Sequence, residues 1–578
     1  MVSDINLRIG GAAGLGVMVA GAMISKAAKK EGLYVFLSTE YPSLIRGGHN
    51  TVDIRISSKP IHCNSHKVDV LLALNTDTIE RHYNLMNDGG IILYDSSETQ
   101  ITKRPSVKVD LIDIPIVKIA EQNGSKKMMN TVIVAAALAI LEISDDYLKA
   151  TLKKTFGKKG EEIVKMNIAC ADAAKKYVMD NHNKDHDFKK LERHDLSGHL
   201  MINGNDAIAM GALKAGCKFM AAYPMTPATS VMETMAKYEH QMDFVLKQTE
   251  DELTAINMAV GAGFAGVRAL TASSGGGFSL MVEGIGAAIE EETPVVIVLA
   301  TRPGPGTGMA TYTGQGDINL AVYAGTDDAP RIVLAPGDQE ECFYLAFEAF
   351  NWAEEYQTPV IIMTDKQLAT SEKIIPYYDM KNLKIRRGKL LKQGDLDNNP
   401  DYVRYKLSNG DPISPRAIPG IRKGMHTATT YAHDEKGIES EDPLLKKKML
   451  EKIFAKMALA KKNLPLPKIT GEKDADISIL TWGSSKQYID QVMEELKGEM
   501  KIRHMNVNVI SPFPTEAVTE FIDSSKKLLL IEQNYSGQFN DLVKLHCQRV
   551  IKDLMLKYDG YTLDTEEIKS RLRSMRSK

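Results

Sequence analysis

Three stretches in the middle of the chain have residue types and spacings that could do chemistry. In the first, AAYPMTPATS (221–230), an apolar run ends at a Tyr-Pro and Thr226 stands between two prolines. Because proline fixes φ, the Thr226 hydroxyl should be held in one position. It could contact a ligand there or be an ordinary turn residue. Thr229 and Ser230 are expected to cap the helix that follows.

The second stretch, KQTEDELTAINMAVGAGFAG (247–266), opens with a cluster of acids. Thr249 and Glu252 have the spacing of a helix capping box, and acids suit the positive end of a helix dipole. The alternative is a functional carboxylate in a dry site. TASSGGG (271–277) then places three glycines just after a predicted strand. The third stretch, TRPGPGTGMATYTGQGD (301–317), is a glycine-rich loop.

Alternating strand and helix patterns predict the elements that position these stretches. Between 200 and 375, strands are predicted at KFMAAYP, FVLKQ, VRALTAS, PVVIVLAT, PRIVLAP and PVIIMTD. Such alternation favours a parallel sheet, in which ligands lie beyond the carboxyl ends of the strands. Each stretch lies at a predicted strand-to-helix junction, so we expect them to meet at one edge of one sheet.

The whole chain has 578 residues, which predicts about three or four domains. Strand-helix alternation recurs at both ends, separated from the middle by a polar, charged segment and by an irregular one rich in Lys, Asp, Pro and Gly. We therefore predict an α/β domain at 1–182, a linker at 183–199, a second α/β domain at 200–375, a connecting segment at 376–465 and a third α/β domain at 466–578.

Glycines also punctuate the N-terminal domain. GGAAGLG (10–16) follows the first predicted strand and precedes a predicted helix from Val17 to Lys30, but its spacing is not that of the dinucleotide fingerprint. The loop could bind an anion at the helix N-terminus or only allow a tight turn. Arg46, in RGGHN, adds a cation beside two glycines and has the same two interpretations.

Bulk properties exclude several function classes. Hydrophobic residues make up 43% and charged residues 25%, with a formal net charge of -2, so nucleic-acid and membrane binding are not favoured. The most apolar stretch, Val132–Leu141, is too short to span a bilayer, and no secretory signal is recognised. Five scattered cysteines without C-x-x-C indicate a reducing, cytoplasmic location. His62 and His66 lack a third ligand, so no metal site is predicted.

Taken together, the three stretches resemble the α subunit of the 2-oxoacid:ferredoxin oxidoreductases, with the family's γ domain fused at the N-terminus. YPMTP differs by one residue from the family's Tyr-Pro-Ile-Thr-Pro signature, and EDELTAINMAVGAG is similar to the start of its pyrimidine-binding domain. RPGPGTG resembles the family's Arg-x-Gly-Pro-Ser-Thr-Gly loop, although Gly306 and Ala310 depart from its Ser and second Pro. SPRAIPG and the C-terminal SPFP also look family-like.

This resemblance covers almost the whole chain and is most specific over 200–375. It implies a Rossmann-like γ domain, a doubly wound pyrimidine-binding domain for thiamine diphosphate, and a C-terminal domain similar to that of transketolase. The implied activity is oxidative decarboxylation of a 2-oxoacid to acyl-CoA and CO₂, with electrons passed through iron–sulfur clusters to ferredoxin. The organic cofactor carries the chemistry, and the protein tunes it.

Residue roles follow from the same resemblance. The family's glutamate hydrogen-bonds the aminopyrimidine ring of the cofactor and lies nine residues before a Gly-Ala, which selects Glu252, with Glu250 as the alternative. Thr226 and Arg302 match residues that hold the 2-oxoacid, and a guanidinium suits its carboxylate because the N–H groups form a planar fork. Thr311 matches a threonine that contacts the far end of the substrate.

The chain lacks the Gly-Asp-Gly and the cluster cysteines of the family's β subunit. The resemblance therefore implies half of an active site, completed by a β chain that binds the diphosphate, Mg²⁺ and a [4Fe-4S] cluster. The assembly is expected to be a heterodimer or a dimer of heterodimers. CoA is an expected co-substrate, and Arg46 is the one candidate contact for it.

Two rival classes and an open substrate remain at this point. A transketolase- or dehydrogenase-type thiamine enzyme would need NAD and a lipoyl partner rather than ferredoxin. A non-catalytic nucleotide or CoA sensor would keep the fold without needing Glu252, Thr226 and Arg302. Because the fused γα arrangement and SPRAIPG resemble the 2-oxoglutarate branch, 2-oxoglutarate is the favoured substrate, with pyruvate or broad specificity as the alternative.

Overall fold

The computed structural model describes residues 4–42, 48–182, 191–398, 401–408 and 410–577. The chain forms two compact units. The first comprises residues 1–202 together with 371–377, and the second comprises 203–370 together with 378–578. Within the described ranges, no helix combines the length and apolar character needed to cross a membrane. The domain boundaries given above stay a prediction, and residues 183–190 of the linker lie outside the described ranges.

The first unit is built on a mixed sheet with the strand order β6-β5-β4-β1-β3-β2-β14-β7. Its strands are β1 (Asp4–Ala12), β2 (Tyr34–Glu40), β3 (His49–Ser57), β4 (Val68–Ala73), β5 (Met86–Tyr94), β6 (Val109–Asp113), β7 (His199–Ile202) and β14 (Glu372–Pro376). Its helices are α1 (Val17–Lys30), α2 (Thr76–His82), α3 (Ile116–Asn123), α4 (Met129–Ile140), α5 (Asp146–Phe156) and α6 (Glu161–Asn181), with 3₁₀ turns at Tyr83–Leu85, Lys126–Met128 and Gly157–Lys159.

Strand β3 makes this sheet mixed rather than wholly parallel. β1, β4, β5 and β6 pair in parallel, as expected, but β3 runs antiparallel to both β1 and β2. The segment was not predicted as a strand. Its signal is the alternation of Val52, Ile54 and Ile56, all buried, with more polar neighbours. Such alternation is typical of antiparallel strands and weaker than a continuous apolar run.

Helix α1 begins and ends where the sequence predicted. Its N-cap is Gly16, which has a φ of 72° and so occupies the left-handed region that favours glycine. A Cβ at Gly16 would also overlap the side chain of Asn130. The glycine loop is thus explained by a tight turn and close packing, and anion binding at the start of α1 stays a prediction.

The second unit holds two further sheets. Its strands are β8 (Phe219–Ala222), β9 (Val245–Gln248), β10 (Ala269–Ser273), β11 (Val295–Thr301), β12 (Ile332–Leu334), β13 (Pro359–Asp365), β15 (Ile469–Gly471), β16 (Ile477–Trp482), β17 (Ile502–Val507), β18 (Val509–Ser511), β19 (Leu528–Glu532) and β20 (Leu554–Leu556).

Helices separate most of these strands along the chain. They are α7 (Gly204–Lys214), α8 (Thr229–Lys237), α9 (Glu252–Phe264), α10 (Gly275–Leu280), α11 (Val282–Glu290), α12 (Ile318–Tyr323), α13 (Gln339–Tyr356), α14 (Lys366–Thr370), α15 (Gln393–Asp397), α16 (Pro443–Asn463), α17 (Ser485–Glu495), α18 (Thr515–Asp523), α19 (Gln538–Cys547) and α20 (Thr565–Ser577).

The larger sheet of this unit has the order β18-β12-β13-β11-β10-β8-β9, and the smaller one has the order β15-β17-β16-β19-β20. All pairs in the larger sheet are parallel except β12 with β18. The six strands predicted between 200 and 375 are confirmed. One apolar core, with Ile297, Trp482 and Phe539 among its buried members, contacts both sheets and fixes their packing.

A histidine pair lies buried in the first unit beside β1. Arg8 donates from Nε and Nη2 to the Asp53 carboxylate, and its Nη1 lies 3.1 Å from Nδ1 of His82. Since arginine can only donate, Nδ1 of His82 must accept, and the hydrogen of a neutral ring is on Nε2. That atom lies 2.8 Å from Nε2 of His49. Burial, and next the charge of Arg8, lower the pKa of His82 to about 2.

This network predicts acid-sensitive stability. The folded state keeps His82 neutral, whereas the unfolded state protonates it near the ordinary pKa of 6.5. The contribution of His82 to the free energy of unfolding is therefore complete above pH 6.5 and is lost as pH falls below it. We expect His82→Asn to unfold more easily than wild type at pH 7.5, with a gap that narrows by about 2 kcal/mol at pH 5. Denaturant titrations of both proteins, with the exposed His194→Asn as control, test this. A gap independent of pH would contradict it.

Candidate active site

Glu252 is the first residue of α9, and the cap of that helix is its neighbour. Asp251 accepts a hydrogen bond from the backbone N–H of Thr254 at 2.8 Å. Thr249 does not cap the helix, since its hydroxyl donates to the carbonyl of Asp251 at 2.8 Å, so the capping-box interpretation is wrong. Because Asp251 caps the helix, the Glu252 carboxylate is left for another role. Glu250 is exposed and accepts from the Thr254 hydroxyl at 2.7 Å.

The Glu252 side chain is nearly buried, at 3% exposure, beside the carboxyl end of β10. Its Oε1 accepts a hydrogen bond from the hydroxyl of Ser273 at 3.1 Å. Its Oε2 makes no hydrogen bond with any residue that the structure describes. A Cβ added at Gly277, in α10, would overlap both Glu252 Oε1 and Ser273 Oγ. The glycine triplet therefore lets a helix start pack directly on this carboxylate.

The YPMTP loop joins the same group of residues. Oγ of Ser273 lies 3.6 Å from Sδ of Met225, which connects the loop to Glu252. The next residue, Thr226, precedes a cis peptide bond to Pro227. The Thr226 hydroxyl forms no hydrogen bond with a described residue and is only partly buried, so it is available to a ligand.

The helix after this loop does not begin as expected. The N-cap of α8 is Ala228, without a side-chain hydrogen bond, so the prediction that Thr229 and Ser230 cap it is wrong. Ser230 instead accepts a hydrogen bond at 2.8 Å from the buried Asn205, whose amide also donates to the carbonyl of Pro227 at 2.7 Å. Asn205, a residue of α7, thus supports the loop through two hydrogen bonds.

Arg302 connects the third stretch to the first. Its Nη1 donates to the backbone carbonyl of Thr226 at 2.6 Å, which anchors the guanidinium. Its Nε and Nη2 have no partner among the described residues and can serve a carboxylate. Burial lowers the pKa of Arg302, and the charge of Asp317 partly opposes this.

Asp317 ends the same loop and lies against Gly275, where a Cβ would overlap its carboxylate. Burial raises the pKa of Asp317 to about 6, and Arg302 opposes the rise. Thr311 is buried in the loop, at 4% exposure. Gly306, one of the departures from the family pattern, has a φ of 65°, which a glycine adopts without strain.

The structure therefore brings Glu252, Thr226 and Arg302 together through Ser273 and Met225. Thr311 lies in the loop that Arg302 begins. Arg46 lies outside the described residues. Within the ranges described, no group of three or more His, Cys, Asp or Glu residues could hold a metal ion. A fixed guanidinium and an unbonded hydroxyl suit a small carboxylate substrate, and a nearly buried carboxylate with a free oxygen suits a ring N–H donor.

Sequence reasoning missed several members of this group. Ser273, Gly277 and Asp317 were not singled out, although the glycine triplet after a strand was noted. Their signal is positional, because residues at the carboxyl end of a parallel strand and at the start of the next helix face the ligand edge. Which of them touch Glu252 or Arg302 depends on the loop geometry, which spacing alone does not give.

Comparisons with known proteins show the family of the chain. A family profile described as pyruvate flavodoxin/ferredoxin oxidoreductase, thiamine diP-binding, matches residues 210–452. Profiles described as pyruvate ferredoxin/flavodoxin oxidoreductase and as pyruvate:ferredoxin oxidoreductase core domain II match residues 6–177 and 475–568. The 2-oxoacid:ferredoxin oxidoreductase subunit alpha of Saccharolobus solfataricus is 33% identical over 634 residues, which cover 99% of the chain and 98% of that protein.

The chain belongs to the 2-oxoacid:ferredoxin oxidoreductases, as an alpha subunit. The 2-oxoglutarate synthase subunit KorA of Methanothermobacter marburgensis is 31% identical to this oxidoreductase subunit over 384 residues, or 66% of the chain and 100% of KorA. The 2-oxoglutarate:ferredoxin oxidoreductase from Magnetococcus marinus, solved with 2-oxoglutarate, coenzyme A and succinyl-CoA bound, matches 100% of both chains with a TM-score of 0.93 and 30% identity. The resemblance stated above and the α/β fold class are confirmed.

Gly277 gives a sharp test of the geometry in this oxidoreductase. Gly277→Ala should displace the Glu252 carboxylate. The turnover of the assembled enzyme should then fall about tenfold or more, since small displacements of reacting groups lower the rate strongly. Gly276→Ala is the matched control, because a Cβ there meets nothing within 4 Å. Because the methyl at Gly277 overlaps buried atoms, that variant should also unfold at a lower temperature, so rates are compared per folded, cofactor-loaded complex. Equal activity in the two variants would contradict the assignment.

Proposed function

We propose that this alpha subunit, together with a beta subunit, converts 2-oxoglutarate and CoA to the acyl-CoA and CO₂ and passes the electrons to ferredoxin. The observation that carries the proposal is the nearly buried Glu252 carboxylate, with one oxygen unbonded. Ser273 connects it to the loop of Thr226, whose hydroxyl is unbonded and whose carbonyl anchors Arg302. Pyruvate, or broad use of 2-oxoacids, is the second candidate.

The residues present fit thiamine diphosphate. Oε2 of Glu252 has no hydrogen bond to a described residue, and the hydroxyl of the fully buried Ser274 has no partner among the described residues either. A carboxylate that keeps one oxygen unbonded in a buried site calls for a donor from a ligand. When bound, thiamine diphosphate supplies the nucleophilic carbon and takes up the electron pair that decarboxylation releases.

Glu252 would hold a proton on the pyrimidine ring nitrogen of the cofactor through Oε2, while Ser273 keeps Oε1 in place. Because the cap of α9 is Asp251, the Glu252 carboxylate can share that proton without weakening the helix start. Arg302 would bind the carboxylate beside the keto group with Nε and Nη2, and Thr226 would orient the substrate through its hydroxyl. Thr311 would contact the far end.

Names of similar proteins support the substrate. KorA is called a 2-oxoglutarate synthase subunit, and the Magnetococcus marinus enzyme was solved with 2-oxoglutarate, coenzyme A and succinyl-CoA. CoA is accordingly the acyl acceptor in the proposal. Profile descriptions name pyruvate, which keeps pyruvate as the alternative.

The surface beside Glu252 supports a partner subunit. Large apolar side chains are exposed on the elements around Glu252, namely Tyr223 in the YPMTP loop, Leu253 and Met258 in α9, and Leu280 in α10. Exposed apolar side chains are common where a partner chain binds. The sequence lacks Gly-Asp-Gly and has no C-x-x-C, so the proposal assigns the diphosphate contacts, Mg²⁺ and the [4Fe-4S] cluster to the beta subunit of a cytoplasmic heterodimer or dimer of heterodimers.

Co-expression with a candidate beta chain tests the proposal. The complex, loaded with thiamine diphosphate and clusters, should reduce a low-potential dye under anaerobic conditions only when CoA and a 2-oxoacid are both present. Rates with 2-oxoglutarate, pyruvate and a branched 2-oxoacid rank the substrates. Neither chain alone should be active. Absence of reduction with every 2-oxoacid would overturn the function and leave the fold intact.

Glu252→Gln should lower kcat by about a hundredfold or more, because the amide cannot take the charge that proton sharing requires. Its fold should be retained, since Ser273 can still donate to the amide oxygen. Glu250→Gln is the matched control, two residues away and exposed, and should keep near-normal turnover. Near-normal turnover of the Glu252 variant, or a large loss confined to the Glu250 variant, would reject the assignment.

Arg302→Lys should raise KM for the 2-oxoacid by about tenfold or more with a smaller effect on kcat. An ammonium keeps the charge but cannot both hold the Thr226 carbonyl and form a paired contact with a carboxylate. Steady-state kinetics at several substrate concentrations check this. An unchanged KM would show that Arg302 does not bind the substrate.

A further inference from the structure

The loop that Arg302 begins is held at its far end by residues from the C-terminal part of the second unit. The N–H of Gln315 donates to the carbonyl of Gln533 at 2.7 Å, and the Asn534 amide donates to the carbonyl of Gln315 at 3.2 Å. The side chain of Gln538 donates to the carbonyl of Gly316 at 2.7 Å. These bonds tie the end of the loop to the β19–α19 connection.

A second anchor lies closer to Thr311. The N–H of Thr313 donates to the carbonyl of Gly560 at 3.0 Å. The ring of Tyr561 meets the ring of Tyr312 edge to face, with centroids 5.7 Å apart and an interplanar angle of 84°. Such pairs contribute more than their buried area alone.

Gly560 itself packs against the loop. It has a φ of 85°, and a Cβ there would lie 3.2 Å from Cε of Met309 and 3.2 Å from Cβ of Tyr312. The turn that precedes α20 therefore contacts the loop on both sides of Thr311 in the sequence.

We propose that the Gly560–Tyr561 turn is a positioning element that fixes Thr311 through Tyr312 and Met309 and so sets which 2-oxoacid the enzyme prefers. The inference rests on the proposed function, in which Thr311 contacts the far end of the substrate. Gly560 and Tyr561 do not touch the reacting atoms in this account and act only through the loop.

The loop around Thr311 needs such support because of its composition. It contains several glycines, which lose much conformational freedom when they are ordered. Arg302 fixes its first residue at the carbonyl of Thr226. Gln533, Asn534 and Gln538 hold its end, and the Gly560–Tyr561 turn supports the part nearest Thr311. If that part moved more freely, the site would discriminate less well between substrates of different length.

Tyr561→Ala tests the proposal with two controls. Tyr558→Ala removes an exposed tyrosine of the same segment, whose ring packs edge-on against Tyr535 at 5.1 Å instead. Tyr561→Phe keeps the ring contact with Tyr312. In the complete alpha–beta complex, Tyr561→Ala should lower the ratio of kcat/KM for the preferred 2-oxoacid over a shorter or longer one by about tenfold, mainly through KM. Both controls should keep the wild-type ratio.

Hydrogen exchange of the loop, followed by mass spectrometry on the same complexes, gives a readout that does not need turnover. Peptides covering residues 303–313 should exchange faster in Tyr561→Ala than in wild type and in both controls. Gly560→Ala should act in the same direction, since its Cβ crowds Met309 and Tyr312.

The outcomes separate this inference from the proposed function. An active wild-type complex whose selectivity and loop exchange are unchanged in Tyr561→Ala overturns the inference alone. Loss of selectivity in Tyr561→Phe as well would also overturn it, because the ring contact would then not be the cause. If the wild-type complex turns over no 2-oxoacid, the proposed function fails, and unchanged exchange would reject the anchor too.

Discussion

The contact on which the site depends is the one between the Glu252 carboxylate and the backbone of α10. A nearly buried carboxylate is costly unless it is hydrogen-bonded or meets a ligand donor. Ser273 donates to Oε1, and Gly277 lets the helix start approach without displacing that oxygen or the Ser273 hydroxyl. Asp251 takes over the capping of α9. Together these features hold Oε1 in place and leave Oε2 without a hydrogen bond to any described residue.

The other loops of the second unit are held around Glu252 by the sheet and by hydrogen bonds. Because β8, β10 and β11 run parallel, the loops that follow them meet at one sheet edge. Hydrogen bonds then join the loops to one another, from Asn205 to the YPMTP loop and from Arg302 to Thr226. From the C-terminal part of the unit, Gln533 and Gly560 bind the loop that carries Thr311. Chemistry and support thus come from different segments of one chain.

Sequence patterns predicted the secondary-structure elements better than they predicted the contacts between residues. Periodicity and terminal residues located the helix Val17–Lys30, and continuous apolar runs located the buried parallel strands. The strand His49–Ser57 was missed, because alternation of apolar and polar residues is a weaker signal than an apolar run. Motif resemblance selected Glu252. It could not show that Asp251 rather than Thr249 caps α9, nor that Ser273 faces the carboxylate, because both depend on loop conformations that spacing does not encode.

The central claim is that Glu252 controls the proton on the ring of bound thiamine diphosphate. The most direct test is the rate at which the C2 proton of the bound cofactor exchanges with D₂O in the complete complex, without any 2-oxoacid present. The account predicts exchange slower by about a hundredfold or more in Glu252→Gln than in wild type, and near wild-type exchange in Glu250→Gln. Equal exchange in the wild type and in Glu252→Gln, with the cofactor bound in both, would contradict it.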